Sequence, residues 1–236
     1  MVWITGSLVF ATSFIDSMMQ IRGFRIVVQH MPSFMQGALV TLEITALSVA
    51  LGMILGLFAG LGKLSKSKFI YGLATVYIDF FRGTPLFVQI LLFYFGILPL
   101  IYNNGVFSSA IIICALNSGA YIAEIVRSGI QAVDKGQMEA ARSLGMNHSQ
   151  AMRYVILPQA YKIVIPPLIN EFIALLKDTS LLSAISVMEL THRGDLVYAN
   201  TYEPAWVWGA VALIYLVMTK ALSVLGDYAE RRLATE

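Results

Sequence analysis

The chain has 236 residues, of which 58% are hydrophobic and only 13% are charged, and its formal net charge is +2. Soluble domains carry about 25% charged residues, so this composition excludes an ordinary soluble protein and predicts an all-α, polytopic membrane protein. The small net charge gives no reason to expect a nucleic-acid partner. The single Cys114 excludes an intramolecular disulfide bond.

An N-terminal segment, residues 1–32, precedes the first clear membrane span. Its first half is apolar but contains Asp16, and Arg22 and Arg25 follow. A short extra span is one interpretation, but it would place these arginines on the outside. The charge pattern favours a segment that lies in the outer membrane interface. We therefore expect the transmembrane domain to occupy residues 33–228.

Five apolar stretches are predicted to cross the membrane. The first runs from Gln36 to Gly62 and is long enough to span a bilayer as a helix. Gly52, Gly56 and Gly60 recur at every fourth position in it, so they would let another helix approach closely. The other four stretches are residues 69–101, 108–130, 162–190 and 206–225.

Prolines and charges refine this outline. Pro85 predicts a break in the second span, and the pair Pro166-Pro167 predicts another at the start of the fourth. Residues 189–204 are expected to form a polar outer loop. The cluster Lys63, Lys66 and Lys68 places the first loop in the cytoplasm. Five spans and a cytoplasmic tail, residues 229–236, then put the N-terminus outside and the C-terminus inside.

A polar segment lies between the third and fourth spans. Residues 137–144 are mostly good helix formers, and Gly145 can adopt the left-handed conformation that ends a helix. Asn147 with Gln150 predicts a capping box that opens a second short helix, which we expect Pro158 to end. Two short helices at an angle would form a compact knob that fits a pocket on another protein. An ordinary amphipathic connector between spans would show the same pattern.

The same segment carries a family pattern. Glu139-Ala140-Ala141, three residues, Gly145, nine residues and then Val155-x-Leu157-Pro158 resembles the cytoplasmic coupling loop of ABC importer permeases, although Val155 stands where isoleucine is usual. Four further motifs are similar to the polar amino acid subfamily, which includes histidine, glutamine and arginine permeases. They are Phe81–Leu86, Leu116–Tyr121, Asn170–Phe172 and Leu176–Ser180.

This resemblance implies a type I permease fold and a function. The chain would be the transmembrane subunit of an ATP-driven amino acid importer in the bacterial cell membrane. Its partners would be a second permease subunit, identical or different, two cytoplasmic ATPase subunits and an outer solute-binding protein. Within a coupling loop at residues 131–160, the residues that would transmit ATPase motion are Glu139, Ala140, Ala141, Gly145, Leu157 and Pro158.

The sequence contains no recognisable catalytic or metal-binding chemistry. Gly62-Lys63 is followed by Leu64 rather than serine or threonine, so it is not a phosphate-binding loop. The three histidines are scattered, and no nucleophile with a nearby base is evident. We therefore expect no enzyme activity, no metal and no cofactor in this chain, with ATP and Mg²⁺ bound by the partner ATPase.

Polar residues within the apolar stretches suggest a substrate site. An amino acid needs an acceptor for its ammonium group and donors for its carboxylate. Glu171 has no cationic residue three or four positions away, so it is the candidate acceptor. The candidates for further hydrogen bonds are Asn117, Gln89, Ser118 and Tyr121. Glu124 and Arg127 share the helix of Asn117, and we expect them either to line a polar surface or simply to pair with each other.

Two alternatives belong to other classes. A gradient-driven secondary amino acid carrier needs no ATPase, but it would be expected to show an internal inverted repeat, which the sequence lacks. A structural membrane subunit would use the polar residues only to join helices. The residues fit glutamine, arginine, histidine or an acidic amino acid about equally, so they do not select one substrate.

Overall fold

The computed structural model describes residues 18, 20–101 and 105–234, and this part of the chain is helical and contains no strand. The predicted all-α class is therefore confirmed. The helices are α1 (Arg22–Gly62), α2 (Lys68–Gly83), α3 (Leu86–Leu91), α4 (Leu98–Ile101), α5 (Val106–Ala132), α6 (Lys135–Ser143), α7 (His148–Ala151), α8 (Leu157–Asp178), α9 (Leu190–Thr201) and α10 (Pro204–Ala234). The π-helical segments Leu92–Ile97 and Met152–Ile156 join α3 to α4 and α7 to α8, and the 3-10 helix Thr179–Ile185 follows α8.

Among the described residues, α1, α5 and α10 are each long and apolar enough to cross a membrane. The pair Lys68–Gly83 and Leu86–Ile101 bends by 109° and counts as a fourth span if it is one broken span. The break predicted at Pro85 is thus confirmed. Predictions for residues 1–17 and 19 lie outside the described residues.

The first helix is longer than predicted. α1 begins at Arg22 rather than Gln36, so it runs without interruption across the boundary predicted at residue 32 and contains Pro32. Its outer part packs on α10, where a Cβ atom at Gly23 would lie 2.0 Å from the Trp206 ring. This tertiary contact, rather than the local sequence pattern, explains why the helix begins so early.

The three regularly spaced glycines bring α1 against α5, as predicted. A Cβ atom at Gly52 would lie 3.2 Å from Gly119 N, and one at Gly60 would lie 2.7 Å from Ala123 O. At Gly56 it would lie 2.6 Å from a methyl group of Ile122. Backbone and side chains of α5 therefore occupy the space that any larger residue would need.

Exchanging one of these glycines should destabilise the protein. We expect Gly56→Ala to lower the free energy of unfolding by about 1–3 kcal/mol, because the added methyl group must displace α5. Gly72, in α2, is the matched control, since a Cβ atom there meets nothing within 4 Å. Gly72→Ala should raise stability by up to about 1 kcal/mol through helix propensity. Thermal unfolding of both variants in detergent measures the two opposite shifts.

The prediction that Pro166-Pro167 break the fourth span is wrong. α8 continues through both prolines from Leu157 to Asp178. Contacts on both sides hold it straight enough to remain helical: Val164 fills the space beside Gly129 of α5, and Ile169 fills the space beside Gly226 of α10. Prolines are tolerated in such helices when neighbouring helices support them. The α-helix ends at Asp178, before the end predicted for this span.

The prediction of a polar outer loop at residues 189–204 is also wrong, because α9 occupies most of it. Glu189 is fully buried and caps this helix, accepting hydrogen bonds from the N–H groups of Thr191 and His192 at 2.7 Å each. The Tyr215 hydroxyl of α10 donates to the same carboxylate at 3.0 Å. The predicted tail from residue 229 is likewise helical as far as Ala234, as a continuation of α10.

Candidate functional site

Two regions concern function: the knob formed by α6 and α7, and a polar cluster around α5. In the knob, Asp134 is the N-cap of α6, and its side chain accepts a hydrogen bond from Gly136 N at 2.7 Å. Gly145 follows the end of α6, and its φ of +85° is left-handed, as predicted. Gly145 N donates to Arg142 O at 3.1 Å, and Met146 N donates to Ala141 O at 3.2 Å. These two bonds form a Schellman motif that turns the chain sharply after α6.

The second half of the knob agrees with prediction at its start and not at its end. Asn147 and Gln150 form the predicted capping box, with both hydrogen bonds at 2.9 Å. Pro158, however, does not end the helix: the chain passes through the π-helical segment directly into α8. Pro158 lies in the first turn of α8, where proline is well tolerated. The knob is therefore rigidly continuous with a long helix of the transmembrane domain.

The knob has an inner and an outer surface. Ala141 is buried, and the apolar cluster of Val133, Ile156 and Ala160 lies beneath the knob. Glu139 and Ala140 are exposed, and Leu144 is 81% exposed at the tip. Leu157 and Pro158 are exposed at the start of α8. An ordered, solvent-exposed surface that includes apolar side chains is suited to docking against another protein.

Of the candidate substrate residues, Gln89 and Asn117 lie together and are buried, with 1% and 5% of their surface exposed. Asn117 Nδ2 donates to Gln89 Oε1 at 2.8 Å, and Gln89 Nε2 donates to Phe81 O at 2.8 Å. Both amide nitrogens are thus engaged by the protein. Asn117 Oδ1 accepts no hydrogen bond from any residue in the described part of the chain, so it is available as an acceptor.

Ser118 and Glu171 form a second pair. Ser118 is fully buried, and its hydroxyl lies beside the carboxylate of Glu171 on α8. Among the buried side-chain oxygen and nitrogen atoms of the described residues, this hydroxyl alone lacks a well-formed hydrogen bond. The nearest polar group to this hydroxyl is the Glu171 carboxylate, so the pair presents one hydroxyl and one ionisable group at the contact between α5 and α8.

Tyr121 lies apart from these pairs, in a charged row on the C-terminal half of α5. The Arg82 guanidinium stands 5.5 Å from the centre of the Tyr121 ring, and Arg82 Nη1 lies 3.9 Å from Glu124 Oε2. Glu124 also pairs with Arg127, whose Nε donates to Oε2 at 2.9 Å, so the structure shows the second of the two alternatives given for these residues. Arg82 was missed as a neighbour of Tyr121, because it belongs to a different helix, α2, and the packing of α2 against α5 cannot be read from the sequence.

No group of three metal-ligating side chains occurs among residues 18, 20–101 and 105–234. The region therefore consists of hydrogen-bonding and ionisable side chains between helices. Such an arrangement offers hydrogen-bonding and ionisable groups to a small polar ligand.

Comparisons with known proteins extend these observations. Residues 52–235 match the family described as binding-protein-dependent transport system inner membrane component. The glutamine transport system permease protein GlnP of Escherichia coli K12 is 40% identical over 205 residues, which cover 86% of this chain and 93% of GlnP. The arginine transport system permease protein ArtQ of Bacillus subtilis is 36% identical over 214 residues, which cover 89% of this chain and 96% of ArtQ.

Solved structures agree with this result. A crystal structure of an amino acid ABC transporter with histidines has 47% sequence identity and a TM-score of 0.84, and the match covers 87% of this chain and 96% of that one. An inward-facing methionine ABC transporter, MetNI, has a TM-score of 0.77 at 20% identity, covering 87% of this chain and 98% of that one. The second likeness concerns the fold alone.

Proposed function

The chain belongs to the family of binding-protein-dependent transport system inner membrane components, and from this premise we propose that it carries a polar amino acid across the membrane. It is a multi-pass permease subunit of an ABC importer and not a secondary carrier. Its relatives named for glutamine and arginine transport support an amino acid as the cargo.

The cargo site that we propose centres on Glu171 and Ser118. The Glu171 carboxylate accepts a hydrogen bond from the ammonium group of the amino acid, and the Ser118 hydroxyl beside it supplies a further hydrogen bond to the cargo. Asn117 adds its free Oδ1 from the preceding position on α5, with Gln89 hydrogen-bonded to its amide nitrogen, whereas Tyr121 lies apart, beside Arg82, and would meet the cargo elsewhere on its path. The observation that carries this proposal is the fully buried hydroxyl of Ser118, which lies beside the ionisable Glu171 and makes no other hydrogen bond in the described part of the chain.

The coupling surface that we propose is the outer side of the knob. Glu139 and Ala140 contact a cytoplasmic ATPase, with Leu157 and Pro158 beside them, while Ala141 and Gly145 shape the knob from within. Because α7 runs directly into α8, a displacement of the knob moves the helix that carries Glu171. ATP and Mg²⁺ belong to two ATPase subunits on separate chains, and this subunit has no enzymatic activity of its own.

The rest of the assembly follows from the charge distribution and the family. The cluster Lys63, Lys66 and Lys68 supports a cytoplasmic first loop, with the N-terminus outside and the C-terminus inside. A second permease subunit, identical or different, completes the membrane path. An outer solute-binding protein delivers the cargo.

Reconstitution in liposomes tests this function. The chain is assembled with its ATPase and its binding protein, and uptake of radiolabelled glutamine, arginine, histidine and glutamate is measured separately. We expect saturable uptake of at least one of these amino acids. This uptake should require ATP on the side of the vesicle membrane where the ATPase subunits lie. Uptake by the chain alone, driven by a sodium or proton gradient, would contradict the proposal.

A further inference from the structure

The break between α2 and α3 leaves backbone carbonyl groups without their helical partners. Phe81 O would normally accept the N–H of residue 85, but that residue is Pro85, which has no N–H. Thr84 is extended, with φ −123° and ψ 149°, so the last turn of α2 cannot continue. Within a membrane span, water does not satisfy such groups, and other protein atoms must do so.

Three side chains supply the missing donors. Gln89 Nε2 lies 2.8 Å from Phe81 O and 3.0 Å from Thr84 O. Asn117 Nδ2 lies 3.3 Å from Phe81 O, and it also donates to Gln89 Oε1 at 2.8 Å. The Thr84 hydroxyl accepts from Gln89 Nε2 and donates to Phe80 O, both at 2.8 Å. We call Gln89, Asn117 and Thr84 the break clamp.

The break clamp joins three parts of the fold. Thr84 is in the break itself, Gln89 is on α3 beyond it, and Asn117 is on α5. Both amides are buried, so they hold the carbonyls of α2, the start of α3 and the neighbouring span in one fixed arrangement. The bend of 109° is therefore a bonded geometry rather than a loose joint.

From these contacts we infer that Gln89 is a positioning residue, which sets the bend between α2 and α3 and, through Asn117, the placement of the cargo site on α5. Both hydrogens of its amide nitrogen are directed at backbone and Thr84 oxygens, and its carbonyl oxygen accepts from Asn117. Gln89 therefore has no free amide hydrogen for a ligand, and only 1% of its surface is exposed. Ser118 follows Asn117 directly on α5, so a shift of Asn117 moves the unpartnered hydroxyl. Only the transport readout of this inference rests on the proposed function.

The bend is measured by the distance between two spin labels in the assembled transporter in nanodiscs. Leu73→Cys in α2 and Leu100→Cys in α4 provide exposed labelling positions, at 65% and 85% exposure, while the native Cys114 is buried and stays unlabelled. Labelled chains are diluted with unlabelled ones to isolate distances within one subunit. We expect Gln89→Leu to shift the distance distribution to longer values and widen it, since the unclamped helices relax towards a straight arrangement.

Transport kinetics distinguish positioning from ligand contact. We expect Gln89→Leu to lower the maximal uptake rate on the order of tenfold, as the loss of hydrogen bonds at buried acceptors implies. The factor should be the same for two different amino acids, and KM should stay within about twofold of its original value. A ligand contact would instead raise KM, by different factors for different cargoes.

Tyr77→Phe is the matched control, because the Tyr77 hydroxyl also joins α2 to α5, donating to Leu116 O at 2.7 Å away from the break. It should leave the label distance unchanged. If Gln89→Leu does not accumulate in the membrane, Asn117→Ala removes part of the clamp and should give a smaller shift in the same direction. An unchanged distance distribution in the Gln89 or Asn117 variant, or a raised KM without a distance change, would overturn the inference. The distance result stands whatever the cargo proves to be.

Discussion

Glu139→Arg is expected to reduce ATP-driven uptake by at least about tenfold while the chain still inserts into the membrane. Glu139 is exposed on the knob and makes no ion pair within the described residues, so its exchange costs the subunit itself little stability. At a protein–protein contact, reversing one charge typically costs about 2–5 kcal/mol when the partner group becomes buried and unpaired. The loss should therefore appear in docking and coupling rather than in folding.

Three measurements on one preparation separate these effects: the amount of subunit in the membrane, the amount of ATPase that co-purifies, and uptake per ATP hydrolysed. Asp227→Arg is the matched control, because it makes the same change of charge at an exposed position on α10. It should leave all three values unchanged. Gly145→Pro is a second probe of the knob, since a proline cannot adopt the φ of +85° found there. Normal co-purification and coupled uptake in both knob variants would refute the assigned surface.

Glu171→Gln should reduce uptake to a similar extent, but through weaker cargo binding rather than weaker docking of the ATPase. The exchange keeps the shape of the side chain but removes the negative charge that we assign to the ammonium group of the cargo. Loss of a charge-assisted hydrogen bond in a partly buried site is worth about 1.5–3 kcal/mol, which corresponds to roughly 10- to 150-fold in affinity. We expect the KM for uptake to rise accordingly, and substrate-stimulated ATP hydrolysis to fall at a fixed cargo concentration.

Glu43→Gln is the control for this prediction, because it makes the same exchange within α1 at an exposed position. It should leave KM unchanged. Asn117→Ala should also weaken uptake, through both the cargo site and the break clamp. Normal uptake and normal substrate-stimulated ATPase activity in the Glu171 and Asn117 variants would show that these residues do not form the site.

The opposite behaviour of Gln89 and Glu171 is the main contrast within the cargo region. Gln89 should change the maximal rate with KM preserved, whereas Glu171 should change KM. Both are polar residues within apolar stretches, and the sequence alone indicates both as ligand contacts. The difference follows from their hydrogen bonds. The amide of Gln89 is bonded to Phe81 O and to Asn117, whereas the carboxylate of Glu171 lies beside the Ser118 hydroxyl, which has no other partner among the described residues.

The sequence by itself determined the features that depend on near neighbours in the chain. The Asn147–Gln150 capping box, the left-handed Gly145, the pairing of Glu124 with Arg127 and the break at Pro85 were all predictable. Each depends on residues a few positions apart, whose geometry is set by helix periodicity or by the covalent limits of glycine and proline.

Tertiary structure alone decided the features that depend on packing between helices. Pro166 and Pro167 do not break α8, because side chains of that helix fill the space left by glycines on two neighbouring helices. Glu189 is buried because Tyr215, far along the chain, supplies a third donor. Whether Asn117 and Gln89 contact a ligand or hold the helices in place depends on which carbonyl groups the break leaves unpaired. A polar residue in an apolar sequence needs a hydrogen-bonding partner, because leaving a buried polar group unpaired costs free energy. Which group becomes that partner depends on the folded chain, since the partner often comes from a distant segment.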